Sequence, residues 1–251
     1  MLLPPTNIDE VILQLDGIIN IETSAASNLA LFPVLYKKVT ERIKLGIENK
    51  EFEDNPRMER LDVLFAGRYI EAYRQFKAGE TPTQSWEVTF QAAANNKLII
   101  MQHLLLGINA HINLDLGIAV ADTVGENKEL SGIENDFNKI NEILADMVNG
   151  VQEDIGKVSP IFYLLEKVGK GKEDKVVTFT INLARDGAWL FANQFHVSNN
   201  KPKEILDRDG VIAILALKLT TTKSRFLRWT IRAIRFFETK NVAKVVRILS
   251  E

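Results

Sequence analysis

The stretch Ile99-Ile100-Met101-Gln102-His103-Leu104-Leu105-Leu106-Gly107-Ile108-Asn109-Ala110-His111-Ile112-Asn113-Leu114-Asp115-Leu116-Gly117-Ile118-Ala119-Val120 decides the fold. At about 100° per residue its apolar side chains occupy nearly every angle of a helix. A helix that is hydrophobic all round is wrapped by protein instead of lying on a surface. Polar groups recur along it, and no window of about 18 uninterrupted apolar residues occurs, so a membrane span is not expected. The reading is a buried central helix over about residues 98–122, closed by Thr123-Val124-Gly125.

Outward from this helix the chain reads as helix after helix. Asn7 or Thr6 caps a first helix from Ile8. A second covers Ser24 to Ile47, with Pro33 pushing its start towards Phe32. Asn55 as cap and Pro56 in the first turn open a third, which runs to Lys77 and stops at Gly79. Thr83 caps a fourth through Trp86 and Phe90, and a long helix spans Gly132 to Ile155. A shorter helix is expected from Pro160 to Val168, then a charged loop at Gly169–Asp174. The β-branched run Val176–Thr180 leads into helix to Phe195. Pro202–Gly210 reads as a turn or short helix, Val211–Leu219 as an apolar segment, and Arg225–Ser250 as one basic amphipathic helix. The expected fold class is all-α, a compact multi-helix bundle around the central helix, with residues 1–251 as a single domain.

Composition narrows the function. A chain of 251 residues, 46% hydrophobic and 25% charged, builds a core without a disulfide or structural metal, so a metal here would serve function. The absence of cysteine removes thiolate metal sites, iron–sulfur clusters and cysteine nucleophiles. A net charge of −2 carries no global signature of nucleic-acid binding. The N-terminus has early prolines and acids at Asp9, Glu10 and Asp16, unlike a signal peptide, and the chain reads as cytoplasmic.

Polar groups on a buried helix need partners. On the central helix they form two stripes: His103, His111, Asp115 and Asp122 on one, Asn109 and Asn113 on another. Gly107 lies between the two histidines and leaves room for a ligand or a close neighbouring helix. His111 and Asp115, at i and i+4, can share a metal or hydrogen-bond each other. Three readings follow. His111, Asp115 and His103 are metal ligands for a divalent ion such as zinc, manganese or iron; the stripe lines a polar ligand pocket; or it locks the packing. With three histidines in the chain (His103, His111 and His196), other ligands would have to be carboxylates.

The run Leu106-Gly107-Ile108-Asn109-Ala110-His111-Ile112-Asn113-Leu114-Asp115-Leu116, together with Arg185-Asp186-Gly187-Ala188-Trp189 and Asp136-Phe137-x-x-Ile140-Asn141, resembles an uncharacterised all-α bacterial family, domain of unknown function 5995. The resemblance covers most of the chain and implies no assigned activity. More distantly, Leu106, Gly107, His111 and Asp115 are similar to the Leu-Gly-x-x-x-His-x-x-x-Asp setting of the zinc-dependent phospholipase C and P1 nuclease group, all-helical phosphoesterases with a metal pair on a buried helix. This chain lacks that group's further histidines and N-terminal tryptophan, so the likeness implies at most a reduced mono- or dinuclear site.

Other candidates complete the picture. Arg68 and Arg185 suit an anion clamp, and Arg185 can pair with Trp189 by a cation–π contact. Tyr69, Asn109, Asn113, Asp136 and Trp189 are candidate pocket residues, and His196 a helix-end group. On the metal-hydrolase reading, which would take a phosphoester or another small anionic substrate, His103 is a ligand or general base. The alternatives are a non-catalytic small-molecule or lipid-binding protein and a purely structural or interaction protein. In the C-terminal helix Arg225, Arg228, Arg232, Arg235, Lys240, Lys244 and Arg247 interleave with aromatic and aliphatic residues, so its partner is a membrane surface, another protein or solvent.

Overall fold

The computed structural model describes residues 3–126, 128–161 and 181–251, and among them helix is the regular structure throughout, with no strand. The helices are α1 (Ile8–Ser24), α2 (Leu31–Glu48), α3 (Asn55–Ala78), α4 (Gln84–Ala92), α5 (Ile100–Val124), α6 (Glu134–Val158), α7 (Ile181–Val197), α8 (Lys201–Thr220), α9 (Arg225–Phe237) and α10 (Val242–Leu249). The helix expected beyond Ile161, the loop Gly169–Asp174 and the run Val176–Thr180 lie outside the described residues.

The ends of these helices are set by side-chain oxygens that take orphan N–H groups. Asn7 accepts from Glu10 N at 2.9 Å, as expected. Asp54, not Asn55, caps α3 by accepting from Arg57 N at 3.0 Å, and Asn55 is its first helical residue. Gly79 closes α3 with φ at 73°, a left-handed conformation that glycine adopts without strain.

Other caps come from distant parts of the chain. The Asp209 carboxylate accepts from Gln84 N and Ser85 N at the start of α4, at 2.7 and 2.9 Å. Glu238 accepts from Ile100 N at the start of α5, at 3.1 and 3.0 Å.

Two expectations need correction. Pro202 to Leu219 is one continuous helix, α8, because Pro202 sits in its first turn, where its missing N–H costs nothing. The basic C-terminal segment is two helices, broken where Glu238 turns inward to cap α5 and Asn241 opens α10 by accepting from Lys244 N at 3.0 Å.

Helix α5 is ringed by α2, α3, α4, α7 and α8. By length and composition it could cross a bilayer, yet 89% of its most apolar window is buried inside this fold. Two glycines allow neighbours to come close. A Cβ at Gly107 would meet the Phe32 ring of α2 at 2.4 Å, so this glycine seats a neighbouring helix. A Cβ at Gly117 would meet Ala188 O and Phe191 of α7 at 2.8 Å. Gly17, midway along α1, has nothing within 4 Å of such a Cβ.

These two environments predict opposite signs for the same change. Gly117→Ala should destabilise by about 1–3 kcal/mol through overpacking. Gly17→Ala should stabilise by roughly 0.5–1 kcal/mol through helix propensity. Urea unfolding of both variants checks this, and equal effects would refute the packing assignment.

Candidate functional site

Helix α5 is not α-helical throughout. Residues His111–Leu116 form a π turn between α-helical segments Ile100–Ala110 and Gly117–Val124. A π turn holds an extra residue, so the face downstream rotates relative to that upstream. This breaks the single stripe that a constant 100° step predicts, and Asp122 lies exposed at the rim of a surface cleft. Such turns are frequent at functional sites, and this one contains both His111 and Asp115.

Asp115 is 1% exposed, and both its oxygens are engaged. Arg68 Nε donates to Oδ1 at 2.8 Å and Trp86 Nε1 donates to Oδ2 at 2.8 Å. Burial opposes its charge, but the Arg68 guanidinium, His111 and Trp86 together outweigh burial and hold the carboxyl below its usual range. Arg68 lies about a quarter exposed in a cleft of about 430 Å³ that also takes in Asp115, Glu71 and Asp122. Arg68 therefore neutralises a buried carboxylate instead of standing free for an anion.

His111 is 2% exposed and sits in an aromatic cage. Phe65 stacks on it with centroids 3.5 Å apart and planes 8° from parallel, and Tyr36 meets it edge-on at 4.3 Å. Its Nδ1 lies 3.5 Å from Asp115 Oδ2, long for a hydrogen bond, and neither ring nitrogen has a hydrogen-bond partner among the described residues. Burial pushes its pKa below the ordinary value despite Asp115, so the ring is neutral near pH 7.

The other predicted residues have separate places. His103, about 12 Å along the helix from His111, lines a small crevice with Asn28, Arg235 and Glu238, and burial, helped by Arg235, pushes its pKa down to about 4. It does not join His111 and Asp115, and no group of three or more His, Asp or Glu side chains among the described residues is placed to hold a metal ion. Asn109 donates to Ile212 O and Asn113 donates to Asn109 Oδ1, both at 3.1 Å, tying α5 to α8. Asp136 accepts from Glu53 N, Asp54 N and Arg57, which staples the α2–α3 connection to α6. Tyr69 is buried among Phe32, Trp86 and Phe90. Trp189 packs on Phe137, and it is Phe137 whose ring lies 4.2 Å from the Arg185 guanidinium carbon. His196 ends α7 with Nε2 2.8 Å from Lys128 O.

What the structure does assemble is a cavity of about 570 Å³ between α2, α3, α5 and α6. Its wall is chiefly aliphatic and aromatic: Phe32, Leu35, Ile43, Phe65, Leu104 and Ile108 are typical. Its polar lining comes from Tyr36, Asp62, His111, Gln152 and Arg185. The Tyr36 hydroxyl, Asp62 Oδ2 and both His111 nitrogens are buried without hydrogen bonds among the described residues. Burial, with Glu59 adding, pushes the Asp62 carboxyl up to about 8, so it is largely protonated at neutral pH. Of these residues the sequence reading named His111 and Arg185. Tyr36, Phe65 and Asp62 lie on α2 and α3, and no local signal in the sequence marks them.

The chain belongs to the family of unknown function DUF5995, whose sequence profile matches residues 8–222. No curated protein and no solved structure matches it.

Asp62 gives the site a pH signature. Its folded pKa of about 8 lies above an unfolded value of about 3.9, so the native state holds the proton more tightly. Its stabilising contribution is complete below about pH 4, declines as pH rises, and is gone above about pH 8. Asp62→Asn should flatten that decline between pH 5 and 9 in thermal unfolding. An unchanged slope would show that Asp62 is ionised in the fold.

Proposed function

We propose that this DUF5995 member binds an apolar small molecule of lipid-like character in the cavity between α2, α3, α5 and α6. One observation carries the reading: a largely apolar space of about 570 Å³ lined by residues whose side chains include polar atoms with no hydrogen-bond partner among the described residues. The volume falls within the range of small-molecule sites, which are mostly apolar with a few placed polar groups. An apolar wall left to water forgoes about 25 cal/mol for each Å² that a ligand would cover. Each unmet buried polar atom adds about 1–3 kcal/mol. A ligand with an apolar body and a hydrogen-bonding group offsets both costs.

The metal-hydrolase reading has less support. The oxygens of Asp115 are held by Arg68 and Trp86, and His103 sits at the other end of the helix. The His111–Asp115 pair instead supports a neutral ring, with one nitrogen a donor and the other an acceptor.

N-phenyl-1-naphthylamine, a neutral apolar fluorophore, should bind saturably, and hexadecanol should displace it. Ile108→Trp, which fills the cavity, should weaken both by about tenfold or more, while Leu13→Trp on an exposed face of α1 should not. Equal binding by wild type and Ile108→Trp would place the probe elsewhere and remove the basis of the proposal.

A peripheral membrane contact through α9 is a second reading, and its surface favours it. Phe226, Trp229, Phe236 and Phe237 are between 61% and 76% exposed, and Arg225, Arg228 and Arg232 are exposed beside them. Aromatic side chains with basic neighbours suit the boundary of an anionic bilayer. The double variant Arg228→Glu with Arg232→Glu should lower partitioning onto phosphatidylserine-containing vesicles by about tenfold or more at physiological salt. Partitioning that is insensitive to these charges, or absent from the wild type, would leave α9 to a protein partner or to solvent.

A further inference from the structure

The cavity has a direction. Its lining residues on α5 run from Met101 to Leu116, a span of about 20 Å at the helical rise. On α6 they run from Ile155 back to Ile140. The space is therefore elongated along two antiparallel helices and suits a linear chain better than a ring system. Arg185 lies at the Leu116–Ile140 end, one turn before Ala188, where α7 crosses α5 at Gly117.

Arg185 is the most unusual group in that lining. It is 2% exposed, and among the described residues no carboxylate forms an ion pair with it. Its Nε donates to Asn141 Oδ1, and its Nη2 donates to Phe137 O at 2.7 Å. Both partners are neutral. A guanidinium has five N–H donors, so three remain without a protein partner among the described residues, enough to grip a carboxylate with two bonds. Burial pulls its pKa down to about 9, so it stays cationic at neutral pH. Asp62, the one carboxyl in the described lining, is largely protonated there, so the carboxylate that acts on Arg185 is its exposed neighbour Asp186, outside the described lining. A buried charge whose counter-charge stands in solvent is costly, and an anion arriving in the cavity would relieve that cost.

We propose that the cavity takes a linear amphipathic monoanion, a long-chain carboxylate, with its chain along α5 and its head on Arg185. Arg185 is the sole cation in the described lining, which matches one negative charge and not the two of a phosphate monoester. This proposal rests on the apolar-ligand reading above and assigns the head group that reading leaves open.

The test is a head-group series at constant chain length, palmitate against hexadecanol and hexadecylamine, each measured by displacement of N-phenyl-1-naphthylamine from the full chain at pH 7.5. Wild type should prefer palmitate to hexadecanol by about tenfold or more, the value of one charge-assisted contact, and hexadecylamine should bind weakest. Arg185→Gln should abolish that preference by weakening palmitate far more than hexadecanol, and Arg185→Lys should restore part of it. Should Arg185→Gln fail to fold, as judged by circular dichroism, the wild-type series still decides. Hexadecanol binding as tightly as palmitate overturns the carboxylate head and leaves the apolar-ligand reading standing. Failure of the fluorophore and all three ligands to bind overturns both. Palmitate binding that survives Ile108→Trp places the carboxylate outside the cavity and overturns the proposal.

Discussion

Burying a helix that is apolar on every face is the constraint from which this structure follows. One neighbour covers one stripe, so α5 needs a ring of neighbours, supplied by α2, α3, α4, α7 and α8. The ring closes tightly only where side chains shrink. Gly107 admits the Phe32 ring, and Gly117 admits the backbone of α7 at Ala188. The cavity lies where α6 runs alongside α5, and the rest of the ring can be close-packed while that sector stays open.

The buried polar groups divide into two kinds. Asp115, Asn109, Asp136, Asp209 and Glu238 have partners and act as joints between distant segments. Asp115 shows why such joints persist: its desolvation is offset by two direct hydrogen bonds, one charge-assisted, and by the nearby His111 ring. Among the described residues, His111, Tyr36 and Asp62 each have side-chain polar atoms without a hydrogen-bond partner, and Arg185 has no ion-pair partner. All four line the same cavity. Unpaired hydroxyls occur elsewhere in the described core too, at Thr40 and Ser85. The cluster on this one wall is what the proposed ligand would answer.

The π turn connects the two kinds. Over His111–Leu116 it sets His111 towards the cavity between α2, α3 and α6 while Asp115 reaches Arg68 and Trp86 at the edge of the outer cleft. The helix carrying the fold thus also separates a satisfied ion pair from an unsatisfied imidazole one turn away.

The sequence by itself determined the helical fold, because all-round apolarity and capping residues such as Asn7 and Gly79 are local properties that each segment expresses alone. It likewise marked residues 111–115 as a polar feature in need of explanation. It did not determine which polar groups are paired. Trp86 meets Asp115 across 29 positions and Glu238 caps Ile100 across 138, and no periodicity encodes such meetings. A constant step of 100° also carried His103 and His111 onto one stripe, which the rise along the axis and the π turn separate into different environments. Only the tertiary structure decided that Arg68 is spent on Asp115 while Arg185 lines an apolar space with no ion-pair partner among the described residues. Pairing depends on distances through space, and these exist once the chain has packed.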